Sequence, residues 1–272
     1  VGYSYPWISL PQQVYNGYLF DSYEGVSASY ELVSSNFSAS IEAFYGVLND
    51  DLTIGDRTIA ADIKKFQGLI FSVQHNNFKL RMSTHKGNVS VDLPDLNQFA
   101  RFLTQASYLR EAESLETSGK VEVNQLSVNY DDLDYFIKSE FVQIKSPILV
   151  FPETFSYYLS AGYIISPLTF HATYASNTAD YGKLNSSIPS GLAPQIDALA
   201  QGYTSIFESL DRVDLDSLSV GVRWDFRPGM AFKADITHLR GKSGQRSFFA
   251  ITQPADFDYR ANLLLVALEW VF

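Results

Sequence analysis

Apolar and polar residues alternate with a period of two along almost the whole of this chain, and that alternation is what most limits its fold. In "VSASYEL" Val26, Ala28, Tyr30 and Leu32 fall on one face, against Ser27, Ser29 and Glu31 on the other. In "FSASIEAFYGV" Phe37, Ala39, Ile41, Ala43, Tyr45 and Val47 oppose Ser38, Ser40 and Glu42. Such spacing belongs to strands, whose side chains point alternately to opposite faces. Similar dyads recur near 66–76, 78–91, 119–130, 133–146, 155–165, 168–178, 215–226 and 230–241. The terminal "LLLVALEWVF" sets Leu264, Val266, Leu268, Trp270 and Phe272 on one face and Glu269 on the other. With "VGYSYP" counted at the start, the pattern predicts about twelve strands in one domain spanning 1–272.

Composition removes several competing classes. The chain has 272 residues and no cysteine, which excludes a disulfide framework and any thiolate metal site. A formal net charge of -10 argues against a nucleic-acid surface. No apolar run reaches the roughly 18 to 20 residues of a helical membrane span.

The connections are sorted by length. Short ones fall at 34–36, 75–77, 129–134, 166–168 and 227–230, and they alternate with long ones at 7–22, 49–65, 92–118, 146–154, 179–213 and 242–260. In an up-and-down meander this places every short turn at one end, the asymmetry of transmembrane β-barrels. Aromatic residues gather at that same end: Tyr30 and Phe37, Tyr130 and Tyr135, Tyr163 and Phe170, then Trp224, Phe226 and Phe232. Rings of this kind favour a membrane interface, where one edge stays wet while the body is apolar. Two of the long connections also keep helical spacing, near 94–115 after Pro94 and near 192–210 after Pro194.

Alternating strands, sorted loops, an aromatic belt and the terminal "EWVF" together resemble a Gram-negative outer-membrane porin. The resemblance implies an antiparallel up-and-down transmembrane barrel in the outer membrane that passes small hydrophilic solutes by diffusion, with neither enzymatic activity nor cofactor. It also implies outer-membrane lipid, lipopolysaccharide and the barrel-assembly machinery as partners, and a homotrimer as the assembly. In such proteins the last strand ends on Phe, so Phe272, with Trp270 beside it, takes the role of assembly signal and interface anchor. The first run, "VGYSY" before Pro6, is too short to span. Upstream strands are therefore expected to be missing, with sixteen in the complete protein. On that count 7–22 takes the place of the loop that folds into the pore; otherwise it is an ordinary outer loop.

If the apolar face meets lipid, the other face lines the interior. The charged residues so assigned to a pore wall are Glu31, Glu42, Lys79, Arg81, Lys138, Glu140, Arg223, Asp225, Lys233, Asp235 and Glu269. For the hairpin "SVGVRWDFRPGMAFKADI", parity excludes a two-residue Pro-Gly turn. Charge complementarity then favours Asp225 opposite Lys233 and Arg223 opposite Asp235. Alternatives to a porin are a surface receptor or adhesin barrel with a blocked lumen, and a barrel lipase. For the lipase, Ser83 and His85 both fall on the inward face, the wrong side for a lipid substrate. The acidic loop residues Asp50, Asp51, Glu111, Glu113, Asp256 and Asp258 read as a solvated surface rather than a metal site.

Overall fold

The computed structural model describes residues 5–15, 22–54, 57–182, 186–210, 212–243, 245 and 258–271. Eleven strands form one antiparallel sheet in which every strand pairs only with its neighbours in sequence. They are β1 (Glu24–Val33), β2 (Phe37–Ile54), β3 (Arg57–His75), β4 (Phe78–Val91), β5 (Ser118–Asp131) and β6 (Tyr135–Lys145). Then follow β7 (Glu153–Ile165), β8 (Leu168–Asp180), β9 (Leu215–Arg227), β10 (Met230–Gly241) and β11 (Arg260–Trp270). Strands β1 and β11 are the two edges, and the described residues do not close the sheet between them. The fold is thus all-β and up-and-down, the wall architecture of a transmembrane β-barrel.

Period two fixes what each face carries. On the outer face Val26 is 73% exposed, Leu264 69% and Trp270 60%, and Tyr30, Tyr163, Phe170, Trp224 and Phe232 are exposed toward the short-turn end. A continuous apolar surface of this extent is stable only against lipid or another apolar body. No helix among the described residues is long and apolar enough to cross a membrane; the strands are what could span one.

Large inner side chains lean across neighbouring strands where a glycine leaves room. Phe136 of β6 lies against Gly162, its register partner on β7, and a Cβ there would collide with the ring. Gly221 of β9 sits between His171 of β8 and Asp235 of β10, and those two side chains meet above it.

Four readings of the sequence need correction. The described sheet has eleven strands and not twelve: of the opening run Val1 to Ser4 lie outside the described residues, and Tyr5 to Ser9 form bends. The stretch 49–65 is not a long loop, because β2 and β3 continue pairing out to Ile54 and Arg57. Glu111 is buried rather than solvated. Finally, β9 and β10 take the register that sets Lys233 opposite Arg223, with the two-residue turn that parity excludes. Arg227 pairs with Met230 and Trp224 with Phe232, so Asp225 and Phe226 together oppose Ala231. This bulge absorbs the odd residue and restores parity. Repulsion between Arg223 and Lys233 does not decide the register, because each cation has an anion elsewhere: Asp225 at 2.7 Å and Glu269 at 2.6 Å.

At the long-connection end three helices pack together: α2 (Pro94–Gln105), α3 (Leu109–Glu113) and α4 (Pro194–Glu208), the label α1 belonging to the short helix Gln12–Tyr15. Pro at the first turn of α2 and α4 suits a position whose N–H would have no helical partner. Their apolar faces join Leu103, Ala112, Leu115 and Tyr203 with Ile148 and Val150 from the β6–β7 connection in one core. The Glu111 carboxylate accepts from the Ser187 N–H at 2.8 Å and from its hydroxyl at 2.7 Å, tying α3 to the stretch ahead of α4.

Candidate functional site

The inner face of β6 to β10 is covered by the chain's own Tyr5–Tyr15 stretch, which ends in α1. Apolar burial and polar contacts seat it jointly. Trp7 packs edge-on against Phe136, Tyr158 and His171, with ring centroids 6.5, 6.3 and 6.4 Å away. Val14 is buried against Val142, Tyr158 and Ala175. Full burial of such side chains contributes about 1.5–3 kcal/mol each. Around them the Ile8 N–H donates to Asp235 at 2.8 Å, Gln13 Nε2 to Ser217 at 2.6 Å, and the Tyr15 hydroxyl to Glu140 at 2.7 Å. Arg223 donates to the Tyr5 carbonyl, and Lys233 to that of Trp7.

The inner face beneath this segment is packed and buried. Ser160 and Lys233 are fully buried, and His171, Thr173, Glu140 and Asp235 are nearly so. Polar groups tolerate such burial when they pair, and most do here, while His171 Nδ1 and Trp7 Nε1 find no hydrogen-bond partner among the described residues. Lys233 meets Glu269, the Ser160 and Thr173 hydroxyls lie 2.7 Å apart, and Ser156 donates to Asn177. His171 Nε2 lies 3.2 Å from Asp235 Oδ1.

Beyond the edge of the segment the wall opens into a cavity of about 520 Å³. One side is the wall near the short turns, where Gln74, Lys79, Asn129 and Lys138 stand in register on β3, β4, β5 and β6. The other side is the segment, with Tyr5, Trp7, Leu10 and Tyr15. Tyr5 and Trp7 stack with centroids 5.6 Å apart and planes 18° from parallel. Charges on the wall are mostly compensated: Lys138 pairs with Asp131 at 2.9 Å, and Glu140 accepts from both Tyr15 and Gln125.

Of the residues assigned to a pore wall, Lys79, Lys138 and Glu140 line this cavity. Arg81 stands beside it and donates to Gln125. Arg223, Lys233 and Asp235 contact the segment, and Asp225 and Glu269 pair with the first two of these. Glu31 and Glu42 lie apart, near the β1 edge, and are diagonal to each other: Glu31 faces Ser40, and Glu42 faces Ser29. Trp270 is on the outer face opposite Met230, and Phe272 lies outside the described residues. Tyr5, Trp7 and Tyr15 carry no signal of period two that would assign them to a site, whereas Asn129 shares the inner-face parity of Ser127 in β5. The visible hint was four aromatic rings between Tyr3 and Tyr15, in a stretch with two prolines. Ser83 and His85 do meet, Oγ to Nε2 at 2.9 Å, and Ser83 also lies 3.0 Å from Gln125 Oε1. No group of three or more His, Asp or Glu among the described residues is placed to hold a metal ion.

No protein family matches the chain, and no curated protein does. Among solved structures it is similar to LpxR from Salmonella typhimurium, at 10% identity over 91% of this chain and 88% of that one, with a TM-score of 0.30. That protein is an outer-membrane lipid A deacylase, an enzyme and not a porin. The similarity thus runs to an enzyme, against the expectations of a porin and of a chain without enzymatic activity. At this similarity nothing of that protein's activity passes to this chain. The geometry gives the physical reason against an open channel: the polar face that a water-filled lumen needs is occupied, over β6 to β10, by Trp7, Gln13 and Val14.

Proposed function

We propose that this chain is an outer-membrane β-barrel protein that binds a small hydrophilic ligand inside its wall, between its own Tyr5–Tyr15 segment and the polar face of β3 to β6. The observation that carries the reading is the seating of that segment, through Trp7 and the Gln13–Ser217 and Tyr15–Glu140 hydrogen bonds. It converts an inner face into one wall of a cavity of ligand size; such sites range over roughly 300–1,000 Å³. Outer-membrane lipid and lipopolysaccharide are the surroundings proposed for the apolar outer face, and Trp270 and Phe272 the residues read by the assembly machinery.

Because the chain has no cysteine, the test is clean. Gln13→Cys and Ser217→Cys together, treated in outer membranes with a short bifunctional thiol reagent, should give an internally cross-linked species that neither single variant gives. A folded double variant that takes up a bulky maleimide at both positions and never cross-links would sink the reading.

A second reading rests on the Ser83–His85 contact. A serine hydroxyl within hydrogen-bond reach of an imidazole is the arrangement of an activated nucleophile. It makes hydrolysis at the inner face of β4 a further activity to test. A fluorophosphonate probe should label the folded protein and lose that labelling in Ser83→Ala; absence of labelling removes this reading and leaves the binding site untouched.

A further inference from the structure

Resting on the ligand-binding reading above, we propose that the cavity between the Tyr5–Tyr15 segment and the wall is a saccharide site, sized for one or two sugar rings.

The two sides of the cavity differ in chemistry. The wall offers a register row of hydrogen-bonding side chains, in which Gln74 pairs with Lys79, Lys79 with Asn129, and Asn129 with Lys138. Amides each present two donors and an acceptor carbonyl, and ammonium groups present donors alone. Neighbouring strands lie about 4.8 Å apart, so the row is a ladder of polar groups at a spacing comparable to that of substituents around a sugar ring. An apolar ligand would strip water from these groups and return nothing, at a cost of about 1–3 kcal/mol for each group left unpaired. A polyhydroxylated ligand replaces those hydrogen bonds one for one.

The opposite side supplies what hydroxyls alone do not need. Tyr5 stacks on the buried Trp7, so the rings offered to a ligand are those of Tyr5 and of Tyr15, which lines the same cavity. A sugar ring has one face of C–H groups, which packs on an aromatic ring while its equatorial hydroxyls reach sideways. Polar groups facing aromatic groups across a slot match that division of a saccharide's surface. They do not match a compact inorganic ion, which gains nothing from the rings.

Charge narrows the class. With Lys138 held by Asp131 and Glu140 taken up by Tyr15 and Gln125, Lys79 is the one lining cation without a carboxylate partner among the described residues. A neutral sugar or one with a single carboxylate is accommodated; a multiply charged ligand is not.

Tryptophan fluorescence provides the test. Of the three tryptophans, Trp224 and Trp270 are exposed on the outer face and Trp7 lines the cavity. In the Trp224→Phe, Trp270→Phe background Trp7 is the only reporter. Titrating the folded protein in lipid nanodiscs with maltose, lactose and glucuronate should change Trp7 emission saturably for at least one of them. Asn129→Leu should weaken that binding about 10-fold or more, and Lys79→Met should weaken glucuronate more than the neutral sugars. Calorimetric titration of the unsubstituted protein should give the same affinity. Failure of all three sugars to bind by either method, while the Gln13→Cys, Ser217→Cys double variant still cross-links, overturns the saccharide assignment alone. Failure of that cross-link in folded protein overturns the underlying reading. Equal affinity in Asn129→Leu and the parent also overturns the assignment, since the wall row would then play no part.

Discussion

Lys233 stands opposite Arg223 in the β9–β10 ladder, yet its ammonium reaches Glu269 on β11, the other neighbouring strand, at 2.6 Å. The lysine side chain is fully buried and that of Glu269 is 22% exposed. Removing one member of such a pair leaves a charge without compensation in a buried place, at a cost of about 3–5 kcal/mol. Glu269→Gln should therefore destabilise the fold strongly. Lys233→Met together with Glu269→Gln should recover most of the loss, as replacing a whole buried pair by apolar atoms often does. Urea titrations of the parent, both single variants and the double variant, in vesicles, read the coupling directly. Additive losses would show that the pair does not act as a unit.

The outer face is assigned to lipid, and one substitution tests that. Val220 is exposed near the middle of β9 and pairs with Ile236, also exposed. Val220→Arg should cost about 2–4 kcal/mol in a bilayer, the expected penalty for a cation at the midplane. Ser40→Arg, on the inner face of β2 opposite Glu31, should cost much less. Equal penalties for both, measured by unfolding in liposomes, would mean that the outer face does not meet hydrocarbon.

The helical cap should respond to acid. Burial of the Glu111 carboxyl raises its pKa, but the N–H and hydroxyl of Ser187 donate to it and more than offset that, so it stays below the usual carboxylate value. A depressed carboxylate gives stability that is fully present above its unfolded pKa and is lost as pH falls through the folded value. Hydrogen exchange in Leu109–Glu113 and at Ser187 should therefore accelerate below about pH 4. In Glu111→Gln exchange should be faster at neutral pH and lack that acid step. An unchanged acid step in the variant would assign it to another group.

The β9–β10 turn depends on backbone geometry. Gly229 has φ +74, a region side chains rarely adopt, and a Cβ there would come 2.9 Å from the Val271 carbonyl oxygen. The Gly229 carbonyl in turn accepts from the Val271 N–H at 2.8 Å. Gly229→Ala should cost about 1 kcal/mol or more, in excess of the gain from a stiffer unfolded chain. The midpoint of urea unfolding checks it, and a stabilised variant would contradict the strain.

Much of the wall was legible from the sequence because period two is enforced along each strand outside its bulges. A strand that buries one face against lipid cannot slip by one position without presenting its charges, so Val26 through Trp270 declare their side. The register of β9 and β10 was not legible. It turns on a bulge at Asp225–Phe226 and on Glu269 of a third strand, neither visible in one hairpin's charges. The site was less legible still. Trp7 and Tyr15 find partners 129 and 125 residues away, in Phe136 and Glu140, and nothing local encodes such pairing. Only the density of rings in that stretch pointed to burial.

Phe136 lying against Gly162, and His171 meeting Asp235 above Gly221, describe an inner surface whose relief comes from side-chain size and not from bends in the strands. Glycine makes the hollow and the adjoining ring makes the rise. The lipid-facing residues occupy the alternate positions and have no share in either. A lineage of such chains, or an engineer, could therefore recontour the interior by exchanging glycines and rings between adjacent strands. Strand number, tilt and the membrane-facing coat would stay as they are.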